Sequence, residues 1–130
     1  MIRAMAIDHI NFCVKNLEDT LSFYHKVFGF EVKERGIRDG GSWAIFGHPE
    51  TGYLCAYEYP DLEISTRGLR INHFGLYVTD FNTLEERLKK LGVNILYGGE
   101  VDWGRSRSIY ITDPSGWEIE LAEHFGGGLN

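Results

Sequence analysis

The sequence predicts an α+β fold made of two tandem βαβββ modules that form a half-open mixed barrel around a cavity. Three observations predict it: an internal repeat, a strand followed by a helix in each copy, and short strand-like runs after each helix. Residues 7–28 and 71–91 align at an offset of 64, which places His9 on His73 and Val14 on Val78. A repeat of this kind indicates a duplicated supersecondary unit. We therefore expect one domain over residues 1–130, with module one at about 5–60 and module two at about 70–125.

The first strand of each module is predicted from alternation. In residues 8–14, Ile10 and Phe12 share one face with Val14, whereas His9 and Asn11 share the other with Cys13. Residues 72–79 alternate in the same way, with His73 on the less apolar face. A period of two residues is typical of a half-buried strand.

A helix is predicted after each of these strands. Asn16 and Asp80 are suitable N-cap residues, and Gly29 and Gly92 are candidates for the helix C-caps. The apolar residues between them have helical spacing, namely Leu17, Leu21, Tyr24 and Phe28 in the first copy and Phe81, Leu84, Leu88 and Leu91 in the second.

Three further strands complete each module. They are predicted at residues 30–35, 42–46 and 53–59 in the first copy, and at 93–97, 107–112 and 117–123 in the second. Residues 59–70 form the connector, with Pro60 and Gly68 as breakers.

Composition narrows the class of protein. The chain has 130 residues, of which 43% are hydrophobic and 25% charged, as in a globular domain. A net charge of −6 without a basic stripe argues against nucleic acid or an anionic membrane as partner. No apolar run approaches the roughly 20 residues of a membrane span. Cys13 and Cys55 are too few for a disulfide framework, so we expect a cytoplasmic protein.

The predicted fold places metal-ligating side chains on one cavity. The apolar face of each first strand packs on its own helix, so His9 and His73 point away from the helices at equivalent positions. In the last strand Glu118 and Glu120 lie on the same side as Ala122. A carboxylate inside a barrel is costly unless it is paired or coordinated. Two imidazoles and one carboxylate form a set that suits iron, manganese, zinc, nickel or cobalt.

These segments resemble the vicinal oxygen chelate superfamily, which includes glyoxalase I, extradiol dioxygenases, and the fosfomycin- and bleomycin-resistance proteins. The resemblance is carried by DHINFCV at 8–14, LSFY at 21–24, VFGF at 27–30, NHF at 72–74 and YITDPSGWEIE at 110–120. It implies that His9, His73 and Glu120 coordinate one divalent metal ion, and that the protein is a homodimer. We predict that both histidines share that ion.

The subfamilies differ at a few positions. Resemblance to glyoxalase I implies a further ligand, a Glu on the last strand of the first copy. The offset of 64 places Ala56 at that position, and a one-residue slip of the alignment would place Cys55 or Tyr57 there. Glu58 would act as this ligand only through a register shift or a bridging water. An extradiol dioxygenase would need a His shortly before Ile109, where the sequence has Val101, Asp102 and Trp103.

Two resistance subfamilies also match the sequence in part. The fosfomycin-resistance pattern resembles GRSRSIY at 104–110, where Ser108 and Tyr110 would hold a substrate oxyanion, but the Lys and the C-terminal Arg that it implies are missing. A bleomycin-resistance-like protein would bind a flat drug without metal, through aromatic residues such as Trp43, Trp103, Tyr53 and Tyr57.

The sequence thus predicts a metal-dependent enzyme that acts on a small oxygenated molecule. We expect a glyoxalase-like lyase or isomerase first. An extradiol-type dioxygenase, a fosfomycin-type transferase or hydrolase, and a drug-binding protein also remain open. The predicted catalytic residues are Glu120, Tyr110 and Glu58, and the predicted substrate contacts are Ser108, Tyr110, Trp103, Tyr57 and Asn11.

Overall fold

The computed structural model describes residues 1, 3, 6–64 and 71–128. The chain divides into two compact units, Met1–Glu63 and Ile64–Asn130. The predicted connector falls partly on residues 65–70, which lie outside the described residues. No helix in the described part of the chain has the length and apolar character needed to cross a membrane.

The first unit is one helix on a four-stranded mixed sheet. Its elements in chain order are β1 (His9–Val14), α1 (Leu17–Phe28), β2 (Glu31–Arg38), β3 (Gly41–His48) and β4 (Gly52–Glu58). The strand order is β1-β4-β3-β2. Strands β1 and β4 are parallel, and the other neighbours are antiparallel.

The second unit repeats this order. It contains β5 (His73–Tyr77), a 3₁₀ turn (Phe81–Thr83) that leads into α2 (Leu84–Lys90), β6 (Val101–Asp102), β7 (Arg107–Thr112), β8 (Glu118–Ala122) and a 3₁₀ segment (Phe125–Gly128). Its sheet has the order β5-β8-β7-β6, with β5 and β8 parallel. The same connectivity in both units confirms the predicted α+β fold of two βαβββ modules.

Helix α1 has the caps that the sequence predicts. The Asn16 side chain accepts a hydrogen bond from the Asp19 N–H at 2.9 Å, and Gly29 has a left-handed φ of 70° at the C-terminus. The buried face of the helix carries Tyr24, whose ring is fully buried and stacks on Phe30. This face packs on the sheet and leaves the opposite sheet face available for a site.

The core of the second unit uses alternate residues of its strands. Its fully buried side chains are Ile109 and Ile111 on β7, Ile119 and Leu121 on β8, and Leu88 on α2. On β8 the intervening residues Glu118 and Glu120 are only half-buried. The predicted division of β8 into an apolar helix-facing side and a polar side is therefore present.

Two predictions for the second unit are wrong. Asp80 does not cap the helix with its side chain, because it adopts a left-handed φ of 55° and a 3₁₀ turn precedes α2. Residues 93–97 form no strand. They contribute one isolated bridge, Ile95 to Ile111, because the chain turns at Tyr97 and Gly98 with positive φ values. The fourth strand of the sheet is β6 instead.

Candidate active site

The second unit places a histidine and a carboxylate side by side. His73 begins β5 and pairs with Glu118, and Gly75 pairs with Glu120 on the parallel strand β8. Side chains two residues apart on one strand point to the same face. His73, Glu118 and Glu120 therefore share the sheet face away from the core. The missing side chain at Gly75 leaves room beside Glu120.

Two residues hold the Glu120 carboxylate in place. Its Oε2 lies 3.1 Å from His73 Nε2, and its Oε1 accepts a hydrogen bond from the Ser108 hydroxyl at 2.6 Å. Ser108 is almost fully buried, so its hydroxyl is fixed by its surroundings. The structure thus brings together three of the predicted site residues: His73, Glu120 and Ser108.

The other ring nitrogen of His73 also faces acceptors. Its Nδ1 lies 2.8 Å from Asn72 Oδ1 and 3.5 Å from Glu118 Oε2. An imidazolium donates at both nitrogens, whereas a neutral imidazole has one N–H and donates at only one of them. With the proton on Nδ1, the Nε2 lone pair and the Glu120 carboxylate face one another. A cation bound by both would satisfy them, which is the donor chemistry of a histidine–carboxylate metal site.

Tyr110 lies beside this pair. Its side chain is buried, and its ring meets the His73 ring edge-on at 5.7 Å between centroids. Burial raises the pKa of the Tyr110 phenol, and the nearby Glu120 carboxylate raises it further. The exposed Trp103 side chain acts in the opposite direction and lowers the pKa of the Tyr110 phenol in part. Both predicted substrate contacts, Tyr110 and Trp103, therefore belong to the surroundings of Glu120.

Tyr97 is a residue of this site that the sequence pattern did not predict. Its hydroxyl donates a hydrogen bond to Glu118, and its ring packs edge-on against Tyr110 at 5.3 Å. The strand predicted at residues 93–97 would have ended at this residue. The Gly98-Gly99 pair that follows is the signal for a turn that aims the Tyr97 side chain at Glu118.

The equivalent face of the first unit forms a pocket of about 520 Å³. His9 lies at its edge with its Nδ1 2.7 Å from Asp8 Oδ2, and its side chain is half-exposed. The predicted contacts Asn11 and Tyr57 line the same pocket. Other lining side chains are Arg38, Trp43, Tyr53 and Cys55.

Strand register corrects the equivalence between the two copies. Cys55 pairs with Asn11 in the first sheet, as Glu120 pairs with Gly75 in the second. The offset of 64 placed Ala56 at that position, but a one-residue slip before β4 moves Cys55 onto the pocket face. Burial raises the pKa of the Cys55 thiol, and the positive charge of Arg38 lowers it in part. Neither Ala56 nor Glu58 occupies the position that corresponds to Glu120.

Glu58 has a structural contact in this fold. Its Oε2 accepts a hydrogen bond from the Leu17 N–H at 2.7 Å, at the first residue of α1. The carboxylate therefore satisfies a free donor at the helix start. This contact does not support the acid–base role that was predicted for Glu58 from the sequence.

The described residues contain no group of three or more His, Cys, Asp or Glu side chains arranged to hold a metal ion. His73 and Glu120 supply two donors within the second unit, and His9 belongs to the first. The set of His9, His73 and Glu120 thus stays a prediction.

Comparisons with known proteins agree with the fold. Residues 6–121 match the model of the Glyoxalase/Bleomycin resistance protein/Dioxygenase superfamily. A curated relative, metallothiol transferase FosB of Staphylococcus epidermidis, is 31% identical over 116 residues, covering 89% of this chain and 80% of its own. Glyoxylase I 4 of Arabidopsis thaliana is 25% identical over 121 residues, covering 89% and 69%. The chain belongs to the Glyoxalase/Bleomycin resistance protein/Dioxygenase superfamily.

A solved structure supports the same family assignment. The fosfomycin resistance protein FosX of Listeria monocytogenes is 25% identical to this chain, with a TM-score of 0.72, and the match covers 99% of this chain and 100% of that one. A structure of a FosX mutant from the same organism contains Mn(II) and a dihydroxypropylphosphonic acid.

Proposed function

We propose that this chain is a divalent-metal-dependent enzyme that acts on a small molecule through two neighbouring oxygens. The observation that supports this most is the Glu120 carboxylate between the His73 imidazole and the Ser108 hydroxyl. In this proposal His9, His73 and Glu120 hold one ion of iron, manganese, zinc, nickel or cobalt. When bound, such an ion stabilises negative charge that develops on a substrate oxygen.

The neighbouring side chains have separate roles in the proposal. Ser108 orients Glu120 through its hydrogen bond. The Tyr110 phenol, like any tyrosine with an ordinary or raised pKa, is protonated at neutral pH and can donate a hydrogen bond to a substrate oxyanion. Trp103, Tyr57 and Asn11 contact the body of the substrate.

The reaction that we favour is attack of an external thiol on a bound carbon electrophile, which changes the order expected from the sequence. In a resemblance to glyoxalase I, a Glu stands on the last strand of the first copy, and here that position holds Cys55. The attacking thiol belongs to the cosubstrate and not to Cys55. A free thiol with an ordinary pKa is partly ionised to thiolate at neutral pH, so the reaction needs no enzymatic base. Sulfur then bonds to carbon, the bond from that carbon to its leaving oxygen breaks, and the oxygen takes a proton. Relatives named metallothiol transferase support this order.

A glyoxalase-like lyase or isomerase is the second candidate. A proton transfer between adjacent carbons needs a base, and Glu118 is a second carboxylate on the same sheet face. A relative in Arabidopsis thaliana is named lactoylglutathione lyase GLX1; it is 26% identical over 122 residues, and the match covers 43% of its length.

Metal content tests the proposal first. We expect purified protein to bind about one equivalent of a transition metal, measured by elemental mass spectrometry and titration. The variant His73→Ala should bind it at least ~100-fold more weakly, because a ligand is lost. His25→Ala is the matched control, since His25 is an exposed histidine of the first unit. Equal metal affinity in His73→Ala and wild type would refute the metal site.

Reaction assays on the metal-loaded protein then separate the candidates. Metal-dependent consumption of thiol with a carbon electrophile supports the transferase. Loss of the hemithioacetal of methylglyoxal and glutathione supports the lyase. Oxygen uptake with a catechol would instead support a dioxygenase and count against both the transferase and the lyase. Light scattering tests the homodimer that we also propose, with a mass of about twice 14.9 kDa expected.

A further inference from the structure

The pocket of the first unit contains a guanidinium held over an aromatic ring. Arg38, at the end of β2, places its Cζ 5.9 Å from the centre of the Trp43 ring. Its Nη1 also donates a hydrogen bond to the Tyr57 hydroxyl at 3.3 Å. Two side chains from two other strands therefore fix the position of this cation at the pocket wall.

Neither of these contacts neutralises the positive charge. Within the described parts of the chain, no carboxylate lies within 4 Å of the Arg38 guanidinium. Arg35, three residues earlier and on the other face of β2, is paired with Glu18 instead. The charge of Arg38 also reaches the buried part of the pocket, where it lowers the pKa of the Cys55 thiol against the effect of burial. The pocket thus has a positioned cation with no carboxylate of the described residues within salt-bridge distance.

A flat surface lies next to this cation because of a glycine. A Cβ at Gly36 would lie 3.1 Å from ring atoms of Trp43, so the absence of a side chain lets the indole rest directly on β2. Trp43 pairs with Tyr57 across β3 and β4. The wall beside Arg38 is therefore aromatic and suits a planar, apolar group.

We infer that this pocket binds a monocarboxylate with a flat apolar body, with its carboxylate on Arg38 and its body on Trp43 and Tyr57. A planar guanidinium favours bidentate binding of a carboxylate. Asp8 and Glu34 line the same pocket and disfavour ligands with several negative charges. Since His9 also lies at the pocket, the monocarboxylate is the class of the substrate or of the thiol cosubstrate, and this assignment rests on the proposed function.

Binding to metal-free protein tests the inference apart from catalysis. The probes are 1-naphthoate and its neutral analogue 1-naphthamide, titrated by calorimetry into chelator-treated wild type. We expect naphthoate to bind at least ~10-fold more tightly than naphthamide, and Arg38→Gln to remove that difference, as for a charge-assisted hydrogen bond. Arg35→Gln removes the same charge on the other face and should bind naphthoate like wild type.

Two further variants test the cation and the aromatic wall separately. Arg38→Lys should recover part of the preference for the anion, and Gly36→Ala should weaken both probes by displacing the Trp43 ring. Circular dichroism checks that each variant is folded. Equal naphthoate affinity in wild type and Arg38→Gln, or an equal loss in Arg35→Gln, would overturn the inference. Because the protein is metal-free in these titrations, a failed metal site would leave the Arg38 result unchanged, and the two failures are distinguishable.

Discussion

Replacing Glu58 distinguishes a structural from a catalytic carboxylate. In the structure Glu58 accepts the Leu17 N–H at 2.7 Å at the start of α1, while Asn16 caps the Asp19 N–H. Glu58→Ala leaves the Leu17 donor without this partner. Loss of a capping contact costs about 1 kcal/mol, and loss of a negative charge near a helix N-terminus adds roughly 0.3–1 kcal/mol. We therefore expect the free energy of unfolding to fall by about 1–2 kcal/mol.

The loss should be measurable by urea denaturation and by thermal melting. For a chain of this length the entropy of unfolding is on the order of 0.27 kcal/mol/K, so Tm should fall by about 4–7 °C. Glu58→Gln should lie between wild type and Glu58→Ala, because the amide oxygen still accepts the hydrogen bond. Glu63→Gln is the control, since Glu63 is an exposed carboxylate of the same unit.

The same variants examine the role that the sequence suggested. If Glu58 acts only at the helix, the metal-loaded Glu58→Gln variant should retain turnover close to that of wild type. A Glu58→Ala variant with wild-type stability and at least a ~100-fold loss in kcat would refute the capping argument. It would restore Glu58 as an acid–base residue.

Three single contacts can be tested in the same way. Gly47→Ala should cost at least ~3 kcal/mol in denaturant unfolding, because the new Cβ would lie 2.2 Å from the Gly52 carbonyl oxygen. The Arg107 guanidinium lowers the pKa of Glu123 to about 2, so the free energy of unfolding should fall as the pH drops from about 4.5 toward 2. In acid titrations the Glu123→Gln variant should lose less stability over this pH range than wild type. The same pH profile in both proteins would contradict this prediction. Ser108→Ala should weaken metal binding about 10-fold by titration, because Glu120 loses a hydrogen bond that orients it, and unchanged affinity would argue against that role.

Local signals explain why α1 and β7 were predictable. The cap at Asn16, the helical spacing of apolar residues and Gly29 all act within a few residues of one another. The observed β7, Arg107–Thr112, has the predicted bounds, because its alternating apolar residues fill the core of one sheet. Such patterns depend only on residues that are close along the chain, so they can be read from the sequence.

The segment before β6 depended on contacts that the sequence does not display. Residues 93–97 have the apolar composition of a strand, and Leu96 does donate its N–H to the Tyr110 carbonyl at 2.8 Å. The positive φ at Tyr97 ends the pairing after a single bridge. A non-glycine residue in that conformation is uncommon, so a sequence pattern would not predict it.

In the site, too, the alternation of side chains along one strand was predictable, whereas the register between two strands was not. Parity alone placed Glu120 and His73 on one face, and the 3.1 Å distance between His73 Nε2 and Glu120 Oε2 agrees with it. The position equivalent to Glu120 in the first copy required the register between β1 and β4, which a shift of one residue reverses. That shift replaces the small apolar Ala56 by the thiol of Cys55 on the pocket face. The two copies therefore present different chemistry at one strand position, a carboxylate in the second and a neutral thiol in the first. With Cys55 at this position an isomerase would depend on Glu118 as its base, so this difference supports the proposed reaction, in which the cosubstrate brings the nucleophile.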